Sequence, residues 1–184
     1  MLPNTQSIYF AWPDESKRRS DDNAWQLQRT AQMYDRLWLH GRMGRAWARI
    51  TGRTRQLHDL TTTVAAHSIN ARHSLGLQSV PLDHIRGSEN RDHDFDRDFN
   101  PLSPHTRARW LSIATARLRG AAMPAIDLIQ IGDEYFVRDG HHRVSVARAL
   151  GEAYIDANVT VWEIDPQFNR SFALNPANSQ PACG

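Results

Sequence analysis

Hydrophobic positions between residues 24 and 53 recur at helical spacing. The apolar side chains are separated by three to five residues and comprise Leu27, Ala31, Tyr34, Trp38, Met43, Trp47 and Ile50. This spacing predicts amphipathic helix with one apolar stripe. Gly41 and Gly44 fall inside the pattern, and glycine is a poor helix former, so they predict a break into two helices. Another, weaker helix is expected between Thr61 and Leu77.

From Val80 onward the pattern becomes mixed. Val80 to Ile85 predicts a short strand, and Ser103-Pro104 predicts a helix start with Ser103 as N-cap and Pro104 at the first helical position. Gly120 is a natural end for that helix.

The last third of the chain predicts strand, hairpin, helix and strand. The β-rich runs 125–131 and 134–138 flank Gly132-Asp133, which favours a type II′ hairpin. A helix is expected over 144–150, and apolar residues alternate over 155–162 as in a strand with two different faces.

These elements predict an α+β fold in which a small mixed sheet with packed helices follows a helical N-terminal extension. The predicted division is a flexible leader over 1–24, the helical extension over 25–78, an α+β domain over 79–165 and a flexible tail over 166–184.

Composition excludes several classes of protein. The formal net charge is only +2, so the chain has no overall polyelectrolyte character. No apolar run approaches the ~20 residues that span a bilayer, and the N-terminus lacks a signal-peptide pattern. A single cysteine, Cys183, excludes an internal disulfide framework. We therefore expect a soluble, cytoplasmic protein that does not associate with membranes.

Four arginines share one face of the predicted N-terminal helices, at Arg42, Arg45, Arg49 and Arg53. Such a face can bind phosphates of DNA or an acidic partner, and it can equally be an ordinary solvated surface. The Trp-bearing helices could pack on the domain or across a homodimer interface.

The densest chemistry lies at Asp139-Gly140-His141-His142-Arg143, where a strand ends and a helix begins. Backbone N–H groups at a helix N-terminus favour an anion. Arg143 offers a planar bidentate donor set to a phosphate, and the charge of both histidines responds to pH near neutrality. The pattern predicts a phosphate site, although a histidine cap and an Arg143 ion pair would explain the same residues.

The second half of the chain resembles the ParB/sulfiredoxin superfamily. The resemblance rests on the order of elements, which is strand, Gly-x-x-Arg, helix, glycine and strand. The segments that carry it are Val80 to Ile85, Arg109 to Gly120, Gly120 to Pro124, and Glu134 to Arg143 followed by Ala147, Leu150 and Gly151. Arg91 stands where such proteins often carry an arginine. The resemblance implies a ParB/sulfiredoxin-like fold and a nucleotide, namely ATP, ADP or CTP, held at Asp139, Gly140, His141, His142 and Arg143, with Arg91 nearby.

Members of this superfamily include CTP-hydrolysing partition proteins, ATP-dependent sulfiredoxins and a free-serine kinase. Sulfiredoxin chemistry needs a cysteine directly after the glycine, where this chain has His141, so sulfinic-acid reduction is not expected. A partition protein would carry a helix-turn-helix domain after Glu163, and only a short low-complexity segment follows here. The Asp-Gly-His-His-Arg form is more similar to kinase-type and stand-alone members.

Alternating carboxylates from Asp92 to Asp98 form a second candidate constellation. Asp94 and Asp96 are candidate Mg²⁺ ligands, and the same segment could instead be a solvated acidic loop. The candidate catalytic groups are Glu89 and Asp94 as bases, together with His142.

The sequence thus predicts Mg²⁺-dependent nucleotide binding, with NTP hydrolysis or phosphoryl transfer as the possible reaction at the Asp139–Arg143 turn. The alternative is a nucleotide-responsive regulator that binds DNA or protein through the Arg42–Arg53 face. A degenerate member that acts only as an interaction scaffold is also left open, because a shared fold does not establish function.

Overall fold

The computed structural model describes residues 15–52, 55–65, 69–89 and 93–164, with side chains from residue 23 onward. Within these ranges the chain forms four α-helices and six strands. The helices are α1 (Glu15–Thr51), α2 (Leu60–Ala65), α3 (Arg107–Leu118) and α4 (His141–Ala149). The strands are β1 (His58–Asp59), β2 (Ile69–Pro81), β3 (Ile85–Ser88), β4 (Ile126–Ile131), β5 (Glu134–Asp139) and β6 (Tyr154–Ile164). The fold is α+β, as predicted.

All six strands join one mixed sheet in the order β1-β3-β5-β4-β6-β2. The β4–β5 hairpin lies in the middle, and Gly132 in its loop has a φ of +58°, which fits the predicted turn. β3 runs parallel to β5, and β6 runs parallel to β4. Because β3 and β5 are parallel, their carboxyl ends reach the same edge of the sheet, where α4 begins.

The main core joins the sheet to α4 and to the loop that precedes α3. Leu128 and Val137 from the central strands cluster with Phe95 of that loop and with Val144 of α4. Each of these side chains is almost completely buried. Burying an aliphatic or aromatic side chain of this size contributes roughly 1.5–3 kcal/mol, so this cluster fixes α4 on the sheet.

A second cluster attaches the N-terminal helix to the domain. Tyr34 of α1 packs edge-on against Trp110 of α3, with ring centroids 5.6 Å apart, and Val146 of α4 completes the cluster. The Tyr34 hydroxyl lies 2.9 Å from Thr106 Oγ1 and also donates to the Ser103 carbonyl oxygen. Residues on α1 therefore contact the segment that begins α3. A third cluster, on the other side of the sheet, contains Leu60 of α2.

The predicted break at Gly41 and Gly44 is wrong, because α1 is continuous from Glu15 to Thr51. A Cβ at Gly41 would lie 3.0 Å from Leu102 Cδ2 and 3.1 Å from the Pro101 oxygen. A Cβ at Gly44 would meet the Arg55 side chain at 3.0 Å. These glycines allow the helix to approach the domain closely, which offsets their low helix propensity.

The structure also differs from the prediction over residues 61–77. Among the described residues of this segment, the helix covers Leu60–Ala65, and Ile69–Pro81 forms a long edge strand. That strand crosses the predicted boundary at residue 78/79, so part of the predicted helical extension belongs to the sheet. Helix α1 begins at Glu15, inside the predicted leader, whereas the predicted tail lies outside the described residues.

Helix α3 starts close to the predicted position, but its first turn differs from the predicted Ser103 cap. A short 3₁₀ turn, Pro104–Thr106, precedes it, and the Ser103 side chain makes no capping hydrogen bond. Gly120 ends the helix with a φ of +78°, as expected for a C-terminal glycine. In the described part of the chain, no helix combines the length and apolarity needed to cross a membrane.

Replacement of Gly41 by valine tests the close approach of α1. The added side chain meets the Pro101 carbonyl and Leu102, so we expect the free energy of unfolding to fall by about 1–3 kcal/mol. Chemical denaturation measures this loss. Ala24→Val, at an exposed position of the same helix, is the control and should change stability by no more than about 0.5 kcal/mol. Equal losses in both variants would contradict this account of Gly41.

Candidate phosphate-binding site

The junction between β5 and α4 requires a glycine at residue 140. Gly140 has a φ of +104°, a conformation that side-chain-bearing residues rarely adopt. A Cβ on Gly140 would also lie 2.4 Å from Ile126 Cγ2. The close contact with β4 lets the chain turn directly from the central strand into α4.

This turn borders a cleft of about 310 Å³. The cleft is lined by residues of the turn and of the α3 region, namely His105, Arg109, Ile113, Asp139, Gly140, His141, His142 and Arg143. The first helical hydrogen bond of α4 runs from the Val144 N–H to the Gly140 oxygen, at 3.0 Å. The preceding N–H groups point out of the N-terminal end of the helix, which carries the positive end of the helix dipole. Helix polarity and basic side chains thus favour an anion in this cleft.

Arg143 is held by the protein itself. Its Nη1 donates to the carbonyl oxygens of Pro124 and Ala125, each at 2.7 Å, and its Nη2 donates to Asp139 Oδ2 at 2.6 Å. The guanidinium therefore ties the start of α4 to the segment before β4. Its charge still reaches the cleft, but the predicted bidentate contact with a phosphate would require part of this network to open.

The two adjacent histidines occupy different environments. His141 is buried, its Nε2 lies 2.7 Å from Ser88 Oγ, and its ring stacks on Phe95. His142 meets the same phenyl ring edge-on, with centroids 5.3 Å apart. Both rings thus help to join the cleft to the loop that contains Phe95, and His141 is a structural residue of the core.

Asp94 contacts a residue that the sequence did not identify as a candidate. Its Oδ1 lies 3.1 Å from His105 Nε2, and His105 Nδ1 lies 2.6 Å from Ser103 Oγ. A neutral imidazole that donates from Nε2 to Asp94 accepts at Nδ1, where the Ser103 hydroxyl can donate. The Asp94 carboxylate is largely buried, whereas His105 is 63% exposed and lines the cleft. Asp94 therefore orients His105.

Asp96 stabilises the loop and does not face the cleft. Its Oδ1 accepts from the N–H groups of Asp98 and Asn100, and its Oδ2 accepts from Asn100 Nδ2 at 3.0 Å. Arg55 forms an ion pair with this carboxylate. Burial raises the pKa of Asp96 above its usual range, and the hydrogen bonds from Asn100 reduce that increase. The predicted role of Asp96 as a Mg²⁺ ligand does not fit this geometry, because both oxygens are already hydrogen-bonded.

The remaining predicted site residues are spread over the surface. Glu89 Oε2 accepts from Arg138 Nε at 3.0 Å, which directs this carboxylate to an ion pair. Arg42 and Arg49 are exposed on α1, and Arg45 is half-buried on the same helix. Two further predicted residues, Arg91 and Arg53, lie outside the described residues.

No resident metal site is evident in the described ranges, where no group of three or more His, Cys, Asp or Glu side chains could hold an ion. The cleft residues missed by sequence reasoning are His105, Arg109 and Ile113. They lie far from the Asp139–Arg143 motif along the chain, and the packing of α3 and its preceding turn brings them to it. The helix start predicted at Ser103-Pro104 and the resemblance over Arg109 to Gly120 indicated a helix here, but neither assigned these residues to the site.

Comparison with solved structures finds a chain with limited similarity. The chain is similar to the crystal structure of sulfiredoxin from Arabidopsis thaliana, with a TM-score of 0.35 and 18% sequence identity. The match covers 53% of this chain and 96% of that chain. No family model matches the chain, and no curated protein sequence matches it. The similarity assigns no activity to the cleft.

Replacing Asp96 by alanine separates a loop role from a metal role. The variant leaves three donors from Asp98 and Asn100 without their acceptor, so we expect a loss of about 1–3 kcal/mol of stability. Thermal unfolding with and without Mg²⁺ provides the measurement. An Asp96→Ala protein with unchanged stability and lost stabilisation by Mg²⁺ would restore the metal assignment.

The contribution of Asp96 to the free energy of unfolding should increase as the pH falls. Because its pKa is higher in the folded state than in the unfolded chain, the folded state binds this proton more tightly. This contribution to stability is therefore complete below the ordinary aspartate pKa of about 4 and is lost as the pH rises through the folded-state value. The unfolding free energy of the parent minus that of Asp96→Asn, measured across this range, should rise on acidification. A fall in this difference would contradict the raised pKa.

Proposed function

We propose that this protein binds a nucleotide through its phosphates at the N-terminus of α4. The observation that carries the proposal is the cleft itself, where the start of the helix, Gly140 and the basic side chain of Arg109 border the same space. A helix N-terminus attracts an anion, and Gly140 provides the turn that brings this helix end to the cleft. The resemblance of the Gly140–Arg143 segment to ParB-type turns supports a nucleotide as the anion.

A neighbouring cavity provides space for a further part of such a ligand. It has a volume of about 140 Å³ and shares Ile113 and Arg143 with the phosphate cleft. Met123 and Pro124 give it an apolar wall, while Ser79 and Asp156 add polar atoms. Apolar walls with a few polar groups are typical of small-molecule sites. At about 140 Å³ the cavity holds only part of a nucleoside, so we propose that one end of it enters here while the phosphates reach the helix.

Magnesium enters this proposal with the nucleotide. The predicted ligands Asp94 and Asp96 do not fit, since the first binds His105 and the second stabilises its own loop. Mg²⁺ is commonly held by substrate phosphates with one or two carboxylates. Asp139 lines the cleft and is 70% exposed, so its carboxylate remains accessible although Oδ2 accepts from Arg143. It is the carboxylate that could reach a phosphate-bound ion.

Titration calorimetry with ATP, ADP, CTP and GTP, each with Mg²⁺, tests the binding proposal. Arg109→Ala should raise Kd about tenfold or more, because a hydrogen bond to a charged group contributes about 1.5–3 kcal/mol. Arg109 is exposed and lines the cleft, so its loss should leave the fold intact. Arg86→Ala, at an exposed position outside the cleft, is the control and should bind as the parent does. Absence of binding by the parent for every nucleotide would overturn the proposal.

We further propose that His105 is the proton acceptor if the bound nucleotide is turned over. Asp94 fixes Nε2, so Nδ1 is the accepting nitrogen, and the ring lines the phosphate cleft. The Ser103 hydroxyl, 2.6 Å from Nδ1, would have to rotate away or relay the proton to it. Positioning and charge neutralisation supply most of the catalysis in phosphoryl transfer, and a fixed base completes the arrangement. This assigns Asp94 an orienting role and places the base in the 3₁₀ turn before α3, in contrast to the sequence prediction.

Replacement of His105 by alanine should lower phosphate release from NTP by about 10²-fold or more while changing Kd little, since general-base catalysis contributes about 10²–10⁴. Asp94→Asn should lower it less, because the imidazole remains. His84→Ala, at an exposed histidine outside this cleft, serves as the control. A steady-state phosphate assay with calorimetry on the same proteins separates turnover from binding. Normal turnover in His105→Ala would contradict this role.

A further inference from the structure

Helix α1 carries two heptad patterns on opposite faces. The inner positions follow the 4-3-4 spacing and are buried or half-buried, and they comprise Thr30, Tyr34, Leu37, Gly41, Gly44 and Ala48. The outer positions follow the same spacing and are all exposed, and they comprise Trp25, Arg29, Gln32, Arg36, Leu39, Met43, Ala46 and Ile50. The inner face explains how the helix packs on the domain. The outer face has no partner within the described part of this chain.

The outer face exposes more apolar surface than a solvated helix requires. The exposed fractions are 59% for Trp25, 52% for Leu39, 61% for Met43 and 78% for Ile50. Trp47 borders them and is 65% exposed. All but the first of these side chains lie within about three turns of one another, and contiguous apolar surface of this kind marks an interaction site. Apolar residues at heptad spacing indicate that its partner is another helix.

We propose that the outer face of α1 pairs antiparallel with the same face of a second copy of this chain. A two-fold axis beside the middle of the helix, between residues 36 and 39, places each outer position opposite another outer position. The two ends of the seam then pair Trp25 with Ile50 of the partner subunit. The contacts are isologous, as in most homodimers. The proposal concerns assembly and stands independently of the nucleotide site.

The antiparallel register also matches the polar positions of the outer face with residues that can accommodate them. Arg29 lies opposite Ala46 of the partner subunit, where the small residue leaves room for the aliphatic stem of arginine while its charge stays in water. Gln32 lies opposite Met43 of the partner subunit. Methionine is flexible and adapts to irregular neighbours, so it can pack on the glutamine methylene groups while the amide reaches the edge of the seam.

Charge complementarity favours the same arrangement. In this register Asp35 flanks the seam opposite Arg42 of the partner subunit, and symmetry repeats the pair. Asp35 is 63% exposed although it pairs with Arg107, and Arg42 is also exposed, so both are available at the surface. A parallel pairing would instead place Arg29 and Arg36 each opposite its own copy in the seam, whereas the antiparallel register brings only the two Arg36 side chains near each other, offset by three residues along the axis. Contact between like charges opposes that orientation.

The distribution of charge also argues against a lipid bilayer as the partner. Arg29 and Arg36 occupy central positions of the outer face, between the apolar residues. A membrane would have to accommodate both guanidinium groups under the apolar stripe, whereas surface helices keep their charges on the polar face. A second helix provides Ala46 and Leu39 at these two positions, next to solvent.

Two leucines of equal exposure give a matched test of the interface. Leu39 and Leu27 are each 52% exposed on α1, but only Leu39 lies in the outer heptad pattern. Leu39→Lys places a cation opposite Arg36 of the partner subunit, and we expect the dimer Kd to rise at least tenfold. Leu27→Lys should dimerise as the parent does. Sedimentation equilibrium of the full chain measures both, and circular dichroism confirms that each variant folds.

The sign of the introduced charge distinguishes a second copy from an anionic surface. Leu39→Glu can pair with Arg36 of the partner subunit and should dimerise more tightly than Leu39→Lys. Anionic vesicles or duplex DNA would show the reverse order, with lysine favoured. A parent protein that remains monomeric at high micromolar concentration would overturn the proposal, and so would binding to vesicles or DNA in place of self-association.

Cross-linking tests the orientation. In a Cys183→Ser background, Trp25→Cys and Ile50→Cys are prepared separately and mixed in equal amounts. The antiparallel register predicts disulfides chiefly between the two different variants. Disulfides formed mainly within each variant alone would show a parallel pairing and would overturn the register. Exchange of the charges in Asp35→Arg with Arg42→Asp should restore dimerisation that each single variant weakens.

Discussion

The turn at Gly140 is the constraint on which the cleft depends. The strand β5 passes so close to Ile126 at this point that no side chain fits, and the positive φ directs the chain into α4. The end of the central hairpin and the beginning of the helix are thereby fixed together. Arg143 secures the same junction through the carbonyl groups before β4. Packing alone therefore holds the backbone N–H groups and the basic side chains together where α4 begins.

The loop before α3 is held in place by hydrogen bonds to one buried carboxylate, that of Asp96. Asp96 collects three hydrogen bonds within a few residues, and Phe99 adopts a φ of +61° while its side chain is buried. The carboxylate thus organises a segment that has little regular structure. Its ordered backbone holds Asp94 near His105. Asp94 and Asp96 therefore support the cleft by shaping this loop and orienting His105, and they are not among the residues that line the cleft.

Local patterns predicted the fold well after residue 100. The single strand predicted over Val80 to Ile85 is wrong, because β2 ends at Pro81, a 3₁₀ turn covers Leu82–His84 and β3 begins at Ile85. The hairpin around Gly132, the helix before Gly120 and the strand–turn–helix at Gly140 all follow from nearby residues. The edge strand Ile69–Pro81 was missed because most of its side chains are exposed, so its sequence shows no buried alternation, and its pairing with β6 involves residues far along the chain. The glycines of α1 were misinterpreted as helix breakers because the contacts they permit, with Pro101, Leu102 and Arg55, are made only in the folded domain. The same limit applies to the candidate site, where the contact of Asp94 with His105 depends on the path of a folded loop.

The hydrogen bond from Tyr34 to the Ser103 carbonyl has a consequence for how the molecule transmits movement. Ser103 also contacts His105, so a single residue is shared between the long helix and the cleft. A rotation of α1 about its axis would withdraw the tyrosine ring from Trp110 and its hydroxyl from this segment together. Because Ser103 contacts both Tyr34 and His105, such a rotation would disturb the backbone next to the imidazole.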